Sequence, residues 1–206
     1  MYDAEPLSRQ MLRFSKNSAS KMQLSEDVND TYNMISVDGD TSTNDTVLVI
    51  ANGMAENEKI VEGTKEYEVF AEALHEINEY LAKKIAGDGE GATALFEVNV
   101  VGAQTKEQAV LLSKAIACSN LTKTAIAGHD ANWGRIICAM GYSGAQFDPE
   151  KVDLFFESAA GKIQIAENGT AVDYSEEKAT EILSQPIVTA TADVKMGDAK
   201  ATAMGM

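Results

Sequence analysis

Cysteine is scarce in this chain. There are two in 206 residues, Cys118 and Cys138, and they form no CxxC pair. That argues against a disulfide framework and against a thiolate metal site. Their apolar and helical neighbours predict buried free thiols in a reducing cytoplasm. Basic residues are also few: 17 Lys and Arg face 32 Asp and Glu, for a net charge of −15. Such a balance disfavours nucleic acid or an anionic membrane as a partner. No apolar run approaches the ~20 residues of a membrane span. The first ten residues, MYDAEPLSRQ, lack the apolar core of a secretory leader. Low-complexity segments and repeats at solenoid periods are missing too.

Hydrophobic residues make up 45% of the sequence, enough for a sizeable core. The densest polar stretch is Ile35–Asp45, ISVDGDTSTND, which runs directly into the apolar Val47–Ala51. Short polar side chains there can bond the local backbone and fix a rigid loop. The continuous apolar run predicts a strand buried on both faces, ended by Asn52-Gly53. Upstream, residues 24–34 read as a short helix capped by Ser25. Downstream, Phe70, Leu74, Ile77, Leu81 and Ile85 recur as one face of a helix running from Glu66 to Gly87. Leu95–Val101 reads as a strand, and Thr105 with Gln108 as a capping box for a buried helix. Thr122–Ala127 reads as a further strand, and Asn132–Met140 as a helix. After Asp148-Pro149 the pattern changes to short strands at 152–157, 162–166 and 170–174, split by Ala160-Gly161 and Asn168-Gly169. A helix at 175–183 capped by Ser175 and strands at 187–195 and 199–203 complete the chain. The order of elements predicts an α/β (α+β) fold built on a layered mixed sheet. Its expected parts are an N-terminal arm (1–23), an α/β main part (24–148) and a hairpin-rich part (149–206).

Several side chains invite chemical readings. Glu90 lies between glycines in Gly87-Asp88-Gly89-Glu90-Gly91, where the backbone can approach a ligand and the carboxylate can meet a small ammonium; a solvated loop residue is the bland alternative. Asp38, Asp40 and Asp45 miss the calcium-loop spacing, since Thr43 falls where that loop needs glycine. His129 and Asp130 are chain neighbours and rarely point at one another, so a turn capped by Asp130 or Asn132 is the simpler reading. Arg135 is expected to anchor a carboxylate inside the protein, and His75 receives no role. An internal Ser or Thr nucleophile at 40–44 has no GxSxG elbow behind it.

Three blocks in order, ISVDGDTSTNDTVLVIANG (35–53), GDGEGATALFEV (87–98) and residues 115–144, which hold KTAIAGHDANWGRIICAMGYSG, resemble the β-chain of the ornithine acetyltransferase/glutamate N-acetyltransferase family of arginine biosynthesis. The resemblance spans roughly residues 28–205. It implies a layered α/β fold, of the ornithine acetyltransferase type, that a separate α-chain completes as a hetero-oligomer. It also implies transfer of acetyl from N-acetylornithine to glutamate, without metal or cofactor, and with acetyl-CoA as a further donor in some members. It makes Glu90 a substrate ligand and places Asp40, Thr41 and Asn132 along the site. The family frees a threonine nucleophile by self-cleavage within a segment like ATMLAF. Here RQMLRF puts Gln10 at that position, and a primary amide is no nucleophile; Ser8 is near but internal. ATAMGM replaces the family's ATAWGCDLT, with Met204 at the tryptophan position, and the family's substrate-contacting tail beyond that motif has no counterpart. The α-chain, which supplies the oxyanion-hole groups, is not in this sequence. The expectation is a chain inactive on its own. A non-catalytic β-like chain that binds an α-chain or a small amino acid stays open beside it.

Overall fold

The computed structural model describes residues 19–40, 44–50 and 54–206, with side chains from residue 23 onward. The chain divides into two compact units: residues up to 33 with 41–82, and residues 34–40 with 83–206.

In the first unit, helix α1 (Ala19–Asp30) is followed by a 3-10 turn (Tyr32–Met34), and helix α2 begins at Lys65 and runs to Gly87. The helix expected at 24–34 therefore starts earlier, and Ser25 lies inside it rather than at its cap. Ile60, Phe70 and Leu74 form a small core with Val49 and Tyr67 packed against it. The buried stripe of α2 recurs strictly every four residues, at Phe70, Leu74, Asn78, Ala82 and Ala86. Ile77, Leu81 and Ile85 are only half-buried.

Asn78 is buried because α1 presents it a carboxylate. Asp27 is 5% exposed and accepts from Asn78 Nδ2, and His75 Nδ1 stands 2.5 Å from its other oxygen. Tyr32 donates to Asn78 Oδ1 at 3.2 Å, and Thr31 Oγ1 donates to the Asp27 carbonyl at 2.8 Å. Burial, and then the Asp27 charge, raise the Tyr32 phenol above its ordinary pKa.

The expected buried strand at 47–51 does not form over its described part. Residues 45–50 carry no ladder, and Leu48 and Ile50 are 65% and 72% exposed. The run has the composition of a two-sided core strand, but the described residues offer no pairing strand and cover only its Val49 side.

The second unit is one mixed sheet with helices. Its strands are β1 (Ile35–Ser36), β2 (Leu95–Ala103), β3 (Asp153–Ser158), β4 (Gly161–Glu167), β5 (Thr170–Ala171), β6 (Ile187–Asp193) and β7 (Ala199–Gly205), in the order β1-β7-β2-β6-β3-β4-β5. The β1–β7 and β2–β6 pairs are parallel and the other pairs antiparallel. Alternation puts Phe96, Val98, Val100, Val188, Ala190, Ala192, Leu154 and Phe156 in the core. Helix α3 (Lys106–Ala117) packs on β2 and β7, and α6 (Glu176–Leu183) packs on β3 and β4. Both are capped where the sequence indicated: Thr105 accepts from the Gln108 amide, and Ser175 from that of Lys178. Gln108 Oε1 accepts from the Gln104 amide at 2.6 Å, one residue outside the expected reciprocal bond.

Residues 122–127, read as a strand, belong to helix α4 (Asn120–Ala127), capped by Ser119. The β-branched Thr122, Thr124 and Ile126 imitate a strand, yet a hydroxyl in the right place starts a helix. Helix α5 (Trp133–Gly141) follows as expected. Both cysteines are free, but they are exposed rather than buried. Among the described residues no helix is long and apolar enough to cross a membrane.

The Asp27 cluster yields a prediction. Asn78→Leu removes the carboxamide and leaves a buried carboxylate short of a donor. The expected loss is about 2–3 kcal/mol of stability, read as a lower urea midpoint at unchanged slope.

Candidate active site

Glu90 sits on the loop between α2 and β2. The Ala92 amide donates to the Gly89 carbonyl at 2.9 Å, closing a turn with Glu90 and Gly91 at its centre. Gly91 has φ +78°, which a type II turn demands at its third position and a side chain would resist. Glu90 is exposed at the apex.

The base of this turn is tightly packed. A Cβ added to Gly89 would collide with Met206 Sδ and come within 3.1 Å of Val37 Cγ1. The turn therefore leans on the ends of β1 and β7, which pair through Ile35 with Met204 and Ser36 with Gly205. The Asp40 amide donates to Asp38 Oδ1 at 2.8 Å, an Asx turn around Gly39 (φ +89°). Lys123, on α4, donates from Nζ to the carbonyls of Val37 at 2.7 Å and Ser36 at 3.3 Å. Burial pulls the Lys123 ammonium below the ordinary lysine pKa, while the nearby Cys118 and Asp38 push it back up. One end of the sheet thus gathers an exposed carboxylate, an acidic turn and a half-buried ammonium.

The other candidates fare differently. Asp40 is exposed on the Asx turn beside this cluster, while Gln10 and Thr41 lie outside the described residues, as does Ser8. Asn132 caps α5: its Oδ1 accepts from the Arg135 amide at 3.2 Å and its Nδ2 donates to Asp130 Oδ2 at 3.0 Å. His129 faces away from the dyad reading, with Nδ1 3.3 Å from Ser184 Oγ. Arg135 was expected to hold a carboxylate. Its Nη1 instead donates to the Leu121 carbonyl at 2.9 Å and to Thr124 Oγ1 at 3.0 Å. Among the described residues no group of three or more His, Cys, Asp or Glu could hold a metal ion. A shallow cleft farther along the sheet is lined by Asn99, Glu157, Ser158, Gln185, Ile187 and Thr189, and none of the candidate residues lines it. Lys123 was missed as a site residue, although it lies within the third sequence block; a lone lysine carries no spacing signal.

Residues 14–206 match the ArgJ family. The chain belongs to that family. It is 55% identical over 187 residues to the arginine biosynthesis bifunctional protein ArgJ of Thermotoga neapolitana, covering 91% of this chain and 47% of that relative. The ArgJ protein of Caldanaerobacter subterraneus is also 55% identical, over 86% of this chain and 44% of its own length. The chain thus spans about half the length of these curated relatives. A crystal structure of the ArgJ protein from Bacillus halodurans superposes with a TM-score of 0.89 at 41% identity, covering 95% of this chain and 90% of that one. The layered mixed-sheet α/β architecture is therefore the ArgJ architecture.

Gly89→Ala tests the packing beneath Glu90. Met206 can swing aside, but Val37 must give way. The expected cost is about 1 kcal/mol, measured by urea denaturation, with displaced backbone amide resonances at residues 89–92.

Proposed function

We propose that this chain is the β-type half of an acetyltransferase of arginine biosynthesis, working on N-acetylornithine and glutamate in the cytoplasm. Membership of the ArgJ family supports the reaction class, and the exposed Glu90 at the apex of its glycine-flanked turn carries the site assignment. A carboxylate held there suits the side-chain ammonium of ornithine, since charge-assisted hydrogen bonds are the strong ones. In the family reaction a hydroxyl attacks the acetyl carbonyl. The amide C–N bond breaks, an acetyl ester forms, and ornithine leaves with the proton. The amine of glutamate then takes the acetyl group and regenerates the hydroxyl. In this reading the chain supplies the Glu90 wall of the site, and Asp40, Thr41 and Asn132 lie along it. Gln10 cannot serve as the nucleophile, so the chain alone does not carry the acetyl group. The oxyanion donors belong to an α-type half, and removing even one such donor typically costs 10²–10³-fold in rate.

The second reading, a non-catalytic β-like chain that binds an α-type partner, is favoured by the exposed Leu48 and Ile50. Isolated apolar side chains on a surface are ordinary, but Leu48 and Ile50 share one face of a strand-like run whose other face, at Val49, packs on the small core, and such a bare face is what a partner's sheet would bury.

Intact mass spectrometry after incubation with N-acetylornithine, with and without the α-type half of a relative, tests the first reading. No acetyl adduct is expected on this chain in either mixture, while a stable complex with the α-type half is expected by size-exclusion chromatography. A gain of one acetyl group, mapped to Ser8 or another hydroxyl, would show a relocated nucleophile and overturn the assignment of inactivity.

A further inference from the structure

The cluster around Glu90 contains a lysine with no assigned role. Lys123 is half-buried, and burial of a lysine is costly unless its charge is met. Its hydrogen bonds go to two consecutive main-chain carbonyls, of Ser36 and Val37, at the exit of β1, with Asp38 and Cys118 nearby adding to the support of its charge. Strand β1 is only two residues long, so its own ladder to β7 is a weak hold. The chain beyond it passes straight into the exposed Asp38–Asp40 turn. Val37 then forms the wall against which Gly89 is packed, with only 3.1 Å separating an imagined Gly89 Cβ from Val37 Cγ1. Gly205, the partner of Ser36 in β7, is equally confined: a Cβ there would lie 3.1 Å from the Ala117 carbonyl, 3.4 Å from the Ser36 carbonyl and 3.6 Å from Lys123 Cε. Lys123, the β1 exit, Val37, Gly89 and Glu90 thus form one contiguous chain of contacts.

We propose that Lys123 is a positioning residue for Glu90, acting through the Ser36–Val37 backbone and the Val37 side chain. The proposal rests on the reading of Glu90 as the ligand of a substrate ammonium. An ammonium has three N–H donors and can hold both carbonyls at once, whereas an isosteric apolar side chain holds neither. Loss of the clasp frees the β1 exit. Val37 retreats, and the Gly89–Ala92 turn loses the surface that sets its height.

The test uses the full 206-residue chain and two readouts. The first is the backbone amide resonances of Gly89, Glu90 and Gly91, with the distant Asn168-Gly169 turn as an internal control. The second is the ratio of affinities for N-acetylornithine and N-acetylnorvaline, which lacks the side-chain amine, from millimolar NMR titrations. Lys123→Met is expected to shift or broaden residues 89–91, leave residues 168–169 in place, and cut the affinity ratio about twofold or more. Lys123→Arg, which can still donate to carbonyls, is expected to recover at least half of that loss. Val37→Ala removes the wall but keeps the clasp, and is expected to reproduce both effects even if Lys123→Met folds poorly. Glu90→Gln is expected to bring the ratio close to one without moving the β1 exit. Unmoved amides and an unchanged ratio in Lys123→Met and Val37→Ala, while Glu90→Gln abolishes the ratio, would overturn the positioning role and leave the Glu90 reading standing. A ratio of one in the unsubstituted chain would overturn the Glu90 reading and this proposal with it.

Discussion

The candidate site depends on a close approach of main chains at the β1–β7 edge. Ser36 pairs with Gly205, and the space around Gly205 is bounded most closely by the Ala117 and Ser36 carbonyls, with the Lys123 side chain just beyond them. Glycine inside a strand is normally a weakness, tolerated where another backbone must come near. Here the approach lets α3, α4, β1 and β7 meet at a single point. The ladder of β1 is only two residues long. The Lys123 ammonium adds two charge-assisted hydrogen bonds to the same short strand, each stronger than a neutral bond.

The sheet behind this corner explains why the site lies at its edge. Strand β2 is central, with β6 parallel on one side and β7 antiparallel on the other, and its alternate residues Phe96, Val98 and Val100 are fully buried. The half-buried residues between them are engaged as well: Glu97 pairs with Lys83, and Asn99 accepts from Thr202 Oγ1. Its freedom is at its entry, where the Gly87–Gly91 loop is exposed. Loops placed by a rigid scaffold are where binding groups gather, and the exposed Glu90 turn has that placement.

Much of this organisation was legible in residue order. The Asn168-Gly169 hairpin, the Thr105 and Ser175 caps, and strands β2, β3, β4, β6 and β7 rest on local chemistry that tertiary packing did not overrule. The misses have identifiable causes. Helix α4 was hidden by β-branched residues, whose preference for strands is smaller than the effect of a good cap and a tertiary contact. On α2 the buried stripe turned toward Asn78, because the Asp27 carboxylate made a polar residue the better core member. Apolar periodicity cannot foresee a buried polar pair. Val47–Ile50 has a core strand's composition but no partner among the described residues, and composition cannot say where a cover comes from. Glu90 stood out in the sequence because glycines frame it. Lys123 did not, because its significance lies in two carbonyls more than eighty residues away.

Exposure also limits what Glu90 can do by itself. Two unit charges 4 Å apart attract by about 1 kcal/mol in water, but by about 4 kcal/mol at the effective dielectric of a partly enclosed protein site. An ammonium meeting Glu90 on the open surface described here gains the smaller figure, which corresponds to weak binding at best. Tight binding requires something to exclude water from the Glu90 turn. Catalysis requires, in addition, a hydroxyl and oxyanion donors that the described residues do not bring to this corner. On the reading proposed above, the cover and the oxyanion donors arrive with the α-type half, whereas the hydroxyl belongs to the position that Gln10 occupies in this chain. The turn, the acidic loop and the lysine clasp then form one prepared wall of a site. How strongly that wall holds an ammonium depends on the drop in dielectric when the opposite wall closes over it.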